Sequence, residues 1–164
     1  MHESSTSAED RGDRWVVGQF AVMGVVVVAG WLPPGWPGSV EILLRSLGAV
    51  VALLGALVAV WSWRTLDQSA SPYPRPREGG RLIDTGPYAY VRHPIYSAGL
   101  LFFAGYTLAT SPAALVPLVA LAVLWRNKAA LEEELLERHY RGFRDYRDRV
   151  PGAFVPRPSS SSAD

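Results

Sequence analysis

The stretch Gly86–Tyr96, with the sequence GPYAYVRHPIY, joins a polar, proline-rich loop to an apolar segment. Pro94 suits the first turn of a helix, because the missing N–H of a proline costs nothing there. Arg92 and His93 then lie at the N-terminus of that helix, beside backbone N–H groups that have no partner within it. Such a helix end favours a carboxylate or a phosphate. The alternative interpretation is that Arg92 is only the positive flank of a membrane segment.

Composition excludes several classes of function. A net charge of +1 over 164 residues gives no indication of nucleic-acid binding. Cysteine is absent, which excludes disulfides, cysteine-ligated metal and a cysteine nucleophile. The histidines are His2, His93 and His139, which are too few and too scattered for a metal site, so we expect no metal.

Long apolar runs alternate with segments rich in arginine and proline, which is typical of a small polytopic membrane protein. We therefore predict an all-α protein with four transmembrane helices and a cytoplasmic amphipathic C-terminal helix, in a single domain, 14–156. The predicted spans are 15–31, 40–63, 94–110 and 112–125, the cytoplasmic helix is 126–149, and the ends 1–13 and 157–164 are disordered. A signal peptide is the alternative for the first run, but its flank is mixed in charge and no Ala-x-Ala site follows.

The distribution of arginine indicates which side of the membrane each loop faces. The loop 64–93 carries five arginines, whereas the turns 32–39 and 111–112 carry neither arginine nor lysine. Because cytoplasmic loops are enriched in these residues, we predict that the long loop and both termini are cytoplasmic. The six tryptophans, Trp125 among them, fall at the predicted ends of spans, where an aromatic belt is expected.

Three consecutive glutamates, Glu132–Glu134, lie where the last helix becomes amphipathic. A solvated acidic face is the usual interpretation of such a run. Glu132, however, lies at the edge of an apolar stripe, and we expect Glu133 and Glu134 to turn progressively away from it. If the helix packs back on the membrane hairpin, Glu132 faces the cationic end formed by Arg92 and His93. The stripe consists of Leu131, Leu135, His139, Phe143, Tyr146 and Val150.

These segments resemble the isoprenylcysteine carboxyl methyltransferases and the related phospholipid N-methyltransferases over about half of the chain, roughly Pro76 to Pro156. The residues that carry the resemblance are Leu82, Ile83, Gly86, Pro87, Tyr88, Arg92, His93, Pro94, Tyr96, the paired glutamates, Tyr146, Val150 and Pro151. There are departures from the family pattern. His139-Tyr140 replaces a Phe-Gly pair, Phe143 replaces a tyrosine, and Ala98 stands where glycine is frequent.

The resemblance implies an integral membrane enzyme that holds S-adenosylmethionine between the Arg-His-Pro segment and the glutamates of the last helix. It implies that Arg92, His93 and Glu132 are catalytic. The implied cofactor-binding residues are Tyr88, Tyr90, Arg92, His93, Pro94, Tyr96, Glu132 and Glu133. The methyl acceptor would be lipophilic, with a carboxylate, an amine or a hydroxyl as its reacting group.

An apolar acceptor is expected to arrive from the bilayer between the third and fourth segments, where Ala98, Gly99 and Gly105 leave room. Two other functions are compatible with parts of the sequence. Sterol and steroid reductases, which use a nicotinamide cofactor such as NADPH, carry a somewhat similar His-x-x-Tyr segment. A non-catalytic module could bind anionic membrane lipid through its basic loop and amphipathic helix. The full Arg-His-Pro-x-Tyr pattern with downstream glutamates favours the methyltransferase.

Overall fold

The computed structural model describes residues 3–66 and 82–158, with side chains from residue 14 onward. Within these ranges the regular structure is entirely helical, without a strand, so the predicted all-α class is confirmed. The α-helices are α1 (Glu3–Ala29), α2 (Gly38–Leu66), α3 (Pro94–Ala109), α4 (Leu115–His139) and α5 (Phe143–Arg149), with short 3-10 turns at Gly86–Ala89 and Pro112–Ala114. Much of the arginine-rich loop, 67–81, and most of the tail predicted to be disordered lie outside the described residues.

Two helical segments, Gly38–Leu66 and Pro112–His139, are long and apolar enough to cross a membrane. Arg14–Ala29 and Pro94–Ala109 are apolar but shorter, so the four spans stay a prediction. α2 carries exposed leucine and valine side chains along its length, and Ile42 near its start is 80% exposed. Soluble monomers rarely expose contiguous apolar patches of this extent. The described helices are therefore typical of a membrane-associated protein.

Helices α2 and α3 pack with their backbones in contact. A Cβ at Gly105 of α3 would lie 2.2 Å from the backbone nitrogen of Ala52 in α2, and a Cβ at Gly55 would lie 2.5 Å from the nitrogen of Phe102. Small residues permit this close approach. We predicted that Gly105 leaves room between the third and fourth segments. This prediction is wrong, because Gly105 faces the backbone of α2.

The other two small residues of α3 face different helices. The backbone oxygen of Ala98 faces Gly55 of α2, whereas Gly99 faces α4. The ring of Trp125 lies against Gly99, and a Cβ at that glycine would stand 2.6 Å from it. Trp125 is only 5% exposed. It is thus a core residue, and its interpretation as part of a membrane-facing belt is wrong.

The structure also differs from the sequence-based prediction at two helix ends. α1 begins at Glu3, so most of the segment predicted to be disordered is helical. The predicted helix 126–149 is two helices, since α4 ends at His139 and α5 begins at Phe143. Gly142 directly precedes α5, and glycine is a poor helix former.

Candidate functional site

The Gly86–Tyr96 stretch folds as a 3-10 turn followed by the first turn of α3. Gly86 has a φ of +58°, a left-handed conformation that glycine adopts without strain. A Cβ at this glycine would also stand 2.9 Å from the hydroxyl oxygen of Thr65 in α2. Pro94 is the first residue of α3, which confirms the prediction made from its missing N–H. Arg92 therefore lies directly before the helix, with its side chain close to α4.

Arg92 and Glu133 form a two-point ion pair between the start of α3 and α4. Nε of Arg92 donates to Oε1 of Glu133 at 2.9 Å, and Nη2 donates to Oε2 at 3.3 Å. The third nitrogen, Nη1, donates to the carbonyl oxygen of Val150 at 2.7 Å. The expectation that Glu133 turns away from the motif is therefore wrong. Both glutamates face the start of α3, because the helix places them on either side of one imidazole ring.

The imidazole ring of His93 lies between the carboxylates of Glu132 and Glu133. Its Nε2 is 3.0 Å from Oε1 of Glu133, and its Nδ1 is 3.6 Å from Oε2 of Glu132. Tyr96, one helical turn further on, donates its hydroxyl to Oε1 of Glu132 at 2.6 Å. Successive residues of a helix point about 100° apart, which lets Glu132 and Glu133 approach the ring from two directions. Glu132 thus faces this helix end, as its place beside the apolar stripe predicted.

The backbone of the motif is paired with the chain that follows α5. The N–H groups of Arg92 and His93 donate to the carbonyl oxygens of Gly152 and Ala153, both at 2.9 Å. The amides of Arg92 and His93 are therefore satisfied within the chain. An anion at this site would therefore be bound through side chains and not through these amides.

Phe154, at the end of the same returning segment, adds an aromatic ring to the site. Its ring centroid lies 5.9 Å from that of His93 and 6.2 Å from that of Tyr96, and the planes are nearly parallel. Ser97 fixes the segment by donating its hydroxyl to the carbonyl oxygen of Phe154 at 2.7 Å. Sequence reasoning missed Phe154, because a single aromatic residue after a helix-ending proline carries no periodic signal.

A buried cation lies on the other side of Tyr96. Lys128 of α4 is 1% exposed, and its Nζ donates to Oε1 of Gln19 in α1 at 2.8 Å. The same Nζ is 5.6 Å from the centroid of the Tyr96 ring. Trp125 donates its indole N–H to the same Gln19 oxygen at 3.3 Å. Sequence reasoning missed Gln19, although a single strongly polar side chain in the apolar run 15–31 was an available signal.

The three tyrosines implied in cofactor binding have different positions. Tyr96 contacts Glu132, as described. Tyr88 is buried, and its carbonyl oxygen accepts a hydrogen bond of 2.8 Å from the hydroxyl of Tyr146 in α5. Burial raises the pKa of the Tyr88 phenol above its ordinary value, and the Glu132 carboxylate acts in the same direction. Tyr90 is 62% exposed at the end of the 3-10 turn, so the fold does not bury it with the others.

The sequence that forms this site was compared with known protein families, and one family matches it. The model of the phospholipid methyltransferase family matches residues 43–142. The chain belongs to the phospholipid methyltransferase family. The match includes most of α2, all of α3 and α4, and the whole Arg92–Glu133 and Tyr96–Glu132 network. It confirms the resemblance drawn from the sequence. Phe154, which stacks on His93 and Tyr96, and Gln19, which binds Lys128 and Trp125, lie outside the matched range.

Two relatives are named for heavy-metal resistance. The chain is 32% identical over 126 residues to the nickel-cobalt-cadmium resistance protein NccN of Alcaligenes xylosoxydans xylosoxydans, covering 76% of this chain and 54% of the relative. It is 31% identical over 127 residues to the cobalt-zinc-cadmium resistance protein CzcN of Cupriavidus metallidurans, covering 76% of this chain and 55% of the relative. The chain thus spans about half the length of the curated relatives it matches.

The described part of the chain contains no group of three or more His, Cys, Asp or Glu side chains that could hold a metal ion. The side chains present do fit S-adenosylmethionine, which carries a carboxylate, an ammonium, a sulfonium and an adenine. The hydrogen bonds described use three of the five N–H groups of Arg92, so two can meet a carboxylate. Glu132 offers an acceptor for the ammonium, and the rings of Tyr96 and Phe154 suit a cationic sulfur or an adenine.

Proposed function

We propose that the protein is a membrane methyltransferase that uses S-adenosylmethionine and transfers its methyl group to a lipophilic acceptor. One observation carries the proposal. In a chain of the phospholipid methyltransferase family, Arg92, His93 and Tyr96 of one helix start converge on Glu132 and Glu133 of another helix. Three cationic or proton-bearing side chains and two carboxylates therefore lie within one small cluster.

Each residue has a proposed role that follows from its contacts. Glu133 holds Arg92 in place, so that the remaining N–H groups of the guanidinium bind the cofactor carboxylate. Glu132, oriented by the hydroxyl of Tyr96, binds the cofactor ammonium or an amine of the acceptor. S-adenosylmethionine supplies the methyl group on its sulfonium. The protein contributes position and exclusion of water, which are the main requirements of an in-line displacement.

His93 is the proposed proton acceptor for acceptors that need one. A carboxylate acceptor is already ionised and requires no base, whereas an amine or a hydroxyl must lose a proton. The imidazole nitrogens of His93 lie 3.0 Å from a carboxylate oxygen of Glu133 and 3.6 Å from one of Glu132, so the ring is held in place between two proton acceptors. The geometry thus supports a carboxylate, an amine or a hydroxyl as the reacting group.

The apolar surface of the helices supports a lipophilic acceptor. Exposed leucine and valine side chains cover the outer faces of α1, α2 and α4, and the cluster lies where α3 begins. We propose that this end faces the cytoplasm, because the adjoining loop is rich in arginine. A polar cofactor would then arrive from the cytoplasm and an apolar acceptor from the bilayer.

Calorimetry of the purified protein in detergent tests the cofactor assignment. S-adenosylmethionine, its demethylated product and NADPH are titrated separately. The proposal expects binding of the first two and none of NADPH. Binding of NADPH alone would favour a sterol-type reductase, and binding of none of the three would favour a non-catalytic lipid-binding module.

Label transfer tests the class of acceptor. Membranes that contain the protein receive cofactor labelled in its methyl group and are then extracted with organic solvent. A lipophilic acceptor requires label in the organic phase, above the level in membranes that contain the Glu132→Gln variant. Label that enters only water-soluble small molecules would contradict the proposed acceptor while leaving the methyltransferase assignment intact.

A further inference from the structure

Each of the two carboxylates in the cluster has a cationic partner of its own. Glu133 is paired with Arg92 through two hydrogen bonds. Glu132 interacts electrostatically with Lys128, which precedes it by one helical turn on the same face of α4. His93 lies between the two carboxylates, with its ring nitrogens 3.6 Å from Glu132 and 3.0 Å from Glu133.

Lys128 is the single lysine of the chain, and it is the largest fully buried side chain among the described residues. Burying an ammonium costs several kcal/mol unless charge and hydrogen bonding compensate for it. Both kinds of compensation are present: Nζ donates to Gln19 at 2.8 Å and lies beside the ring of Tyr96, whose hydroxyl binds Glu132. A methionine or leucine could fill the same volume without that cost, so packing alone does not account for the charge.

We propose that Lys128 is a positioning residue of the site, whose buried side chain between Gln19 and the Tyr96 ring orients Glu132 toward the hydroxyl of Tyr96. Gln19 fixes the ammonium, so α1 contributes to the site although it lies outside the range matched by the family. The consequence of this inference rests on the proposed function, because the carboxylate of Glu132 is the proposed ligand of the cofactor ammonium. The charge coupling itself does not require a cofactor and can be measured without one.

A double-mutant cycle separates this role from packing. The variants are Lys128→Met, Glu132→Gln and the combination of both, and the binding of S-adenosylmethionine is measured by calorimetry in detergent. We expect Lys128→Met to weaken binding about tenfold, and Glu132→Gln about tenfold to a hundredfold. If Lys128 acts through Glu132, the double variant binds within about twofold of Glu132→Gln alone. Losses that multiply in the double variant would refute the proposal.

The same cycle is measured by thermal unfolding without cofactor. Each single variant removes one member of the Lys128–Glu132 interaction, whereas the double variant removes both, so we expect its midpoint to fall by less than the sum of the two single effects. Additive midpoints would contradict the coupling. If the wild-type protein bound no S-adenosylmethionine, the proposed function would fail, and this thermal cycle would still decide the Lys128–Glu132 coupling.

Two further substitutions distinguish charge from shape. Lys128→Arg keeps the positive charge but adds volume, whereas Lys128→Gln keeps a donor for Gln19 and removes the charge. If Lys128 positions Glu132 through its charge, Lys128→Arg should be closer to wild type than Lys128→Gln. This order should hold for the affinity for the cofactor and for the midpoint of thermal unfolding. The opposite order would show that size and the hydrogen bond to Gln19 decide, and it would overturn the proposal even if Lys128→Met failed to fold.

Discussion

Arg92 at the start of α3 and Glu133 of α4 are joined by two hydrogen bonds of 2.9 and 3.3 Å, with side chains only 10% and 18% exposed. This pair fixes the contact between the two helices at the site. Removal of the carboxylate charge leaves a guanidinium that is largely shielded from water, and such a change is costly.

Glu133→Gln is therefore expected to lower the free energy of unfolding by about 1.5–3 kcal/mol. Glu137→Gln is the matched control, since Glu137 pairs with the more exposed Arg144 and Arg147, and surface pairs of that kind contribute little to stability. Thermal and denaturant unfolding in detergent measure both variants. A similar loss of stability in the two would show that the Arg92 pair is not special.

Glu132 and His93 should matter more for ligand binding than for folding. Glu132→Gln and His93→Ala are each expected to weaken binding of S-adenosylmethionine about tenfold to a hundredfold, because each removes a contact to a charged group. Glu134→Gln is the control, since Glu134 is exposed on the same helix. Calorimetry measures the affinities, and wild-type affinity in both site variants would remove the basis of the site assignment.

The backbone contact between α2 and α3 makes a further prediction about stability. Gly105→Ala places a Cβ 2.2 Å from the Ala52 nitrogen, so the helices must separate at a cost of about 1–3 kcal/mol. Gly24→Ala in α1 is the control, because a Cβ there meets nothing within 4 Å, and alanine is the better helix former. The thermal midpoint should fall for Gly105→Ala only, and a fall of equal size in Gly24→Ala would contradict the packing.

The orientation in the membrane can be tested with reporter fusions. Fusions at Gly35, Pro76 and Pro158 are expected to read outside, inside and inside, because arginine is concentrated in the loop 64–93 and absent from the turn 32–39. Reporters active only in the cytoplasm or only outside it give independent readings at each position. A cytoplasmic signal at Gly35 would overturn the proposed topology.

What could be predicted from the sequence was local in the chain. Pro94 marked the start of α3 through its chemistry, and Glu132 was placed at the site because side chains recur along a helix with a fixed period. Gly48 and Gly55 are seven residues apart and thus on one helix face, but the sequence does not state which helix they meet. The structure adds that this helix is α3.

Contacts between distant segments were beyond the reach of periodicity. Glu133 was expected to turn away from the start of α3, because a stripe pattern assigns only one face of a helix to the site. In the structure two successive residues, Glu132 and Glu133, both approach the buried ring of His93. Phe154 and Gln19 reach the site from opposite ends of the described chain. No local pattern links either residue to α3, so only the folded structure could identify them.

The pairing of the Arg92 and His93 amides with Gly152 and Ala153 has a consequence for biosynthesis. A ribosome delivers the chain from its N-terminus, so the amides of the motif leave the exit tunnel well before the carbonyl groups that satisfy them. During that interval the four longest helices can already pack, while the motif is still open on one side. A translation product that stops before Gly152 would therefore reach the membrane with its helices in place and its site unfinished.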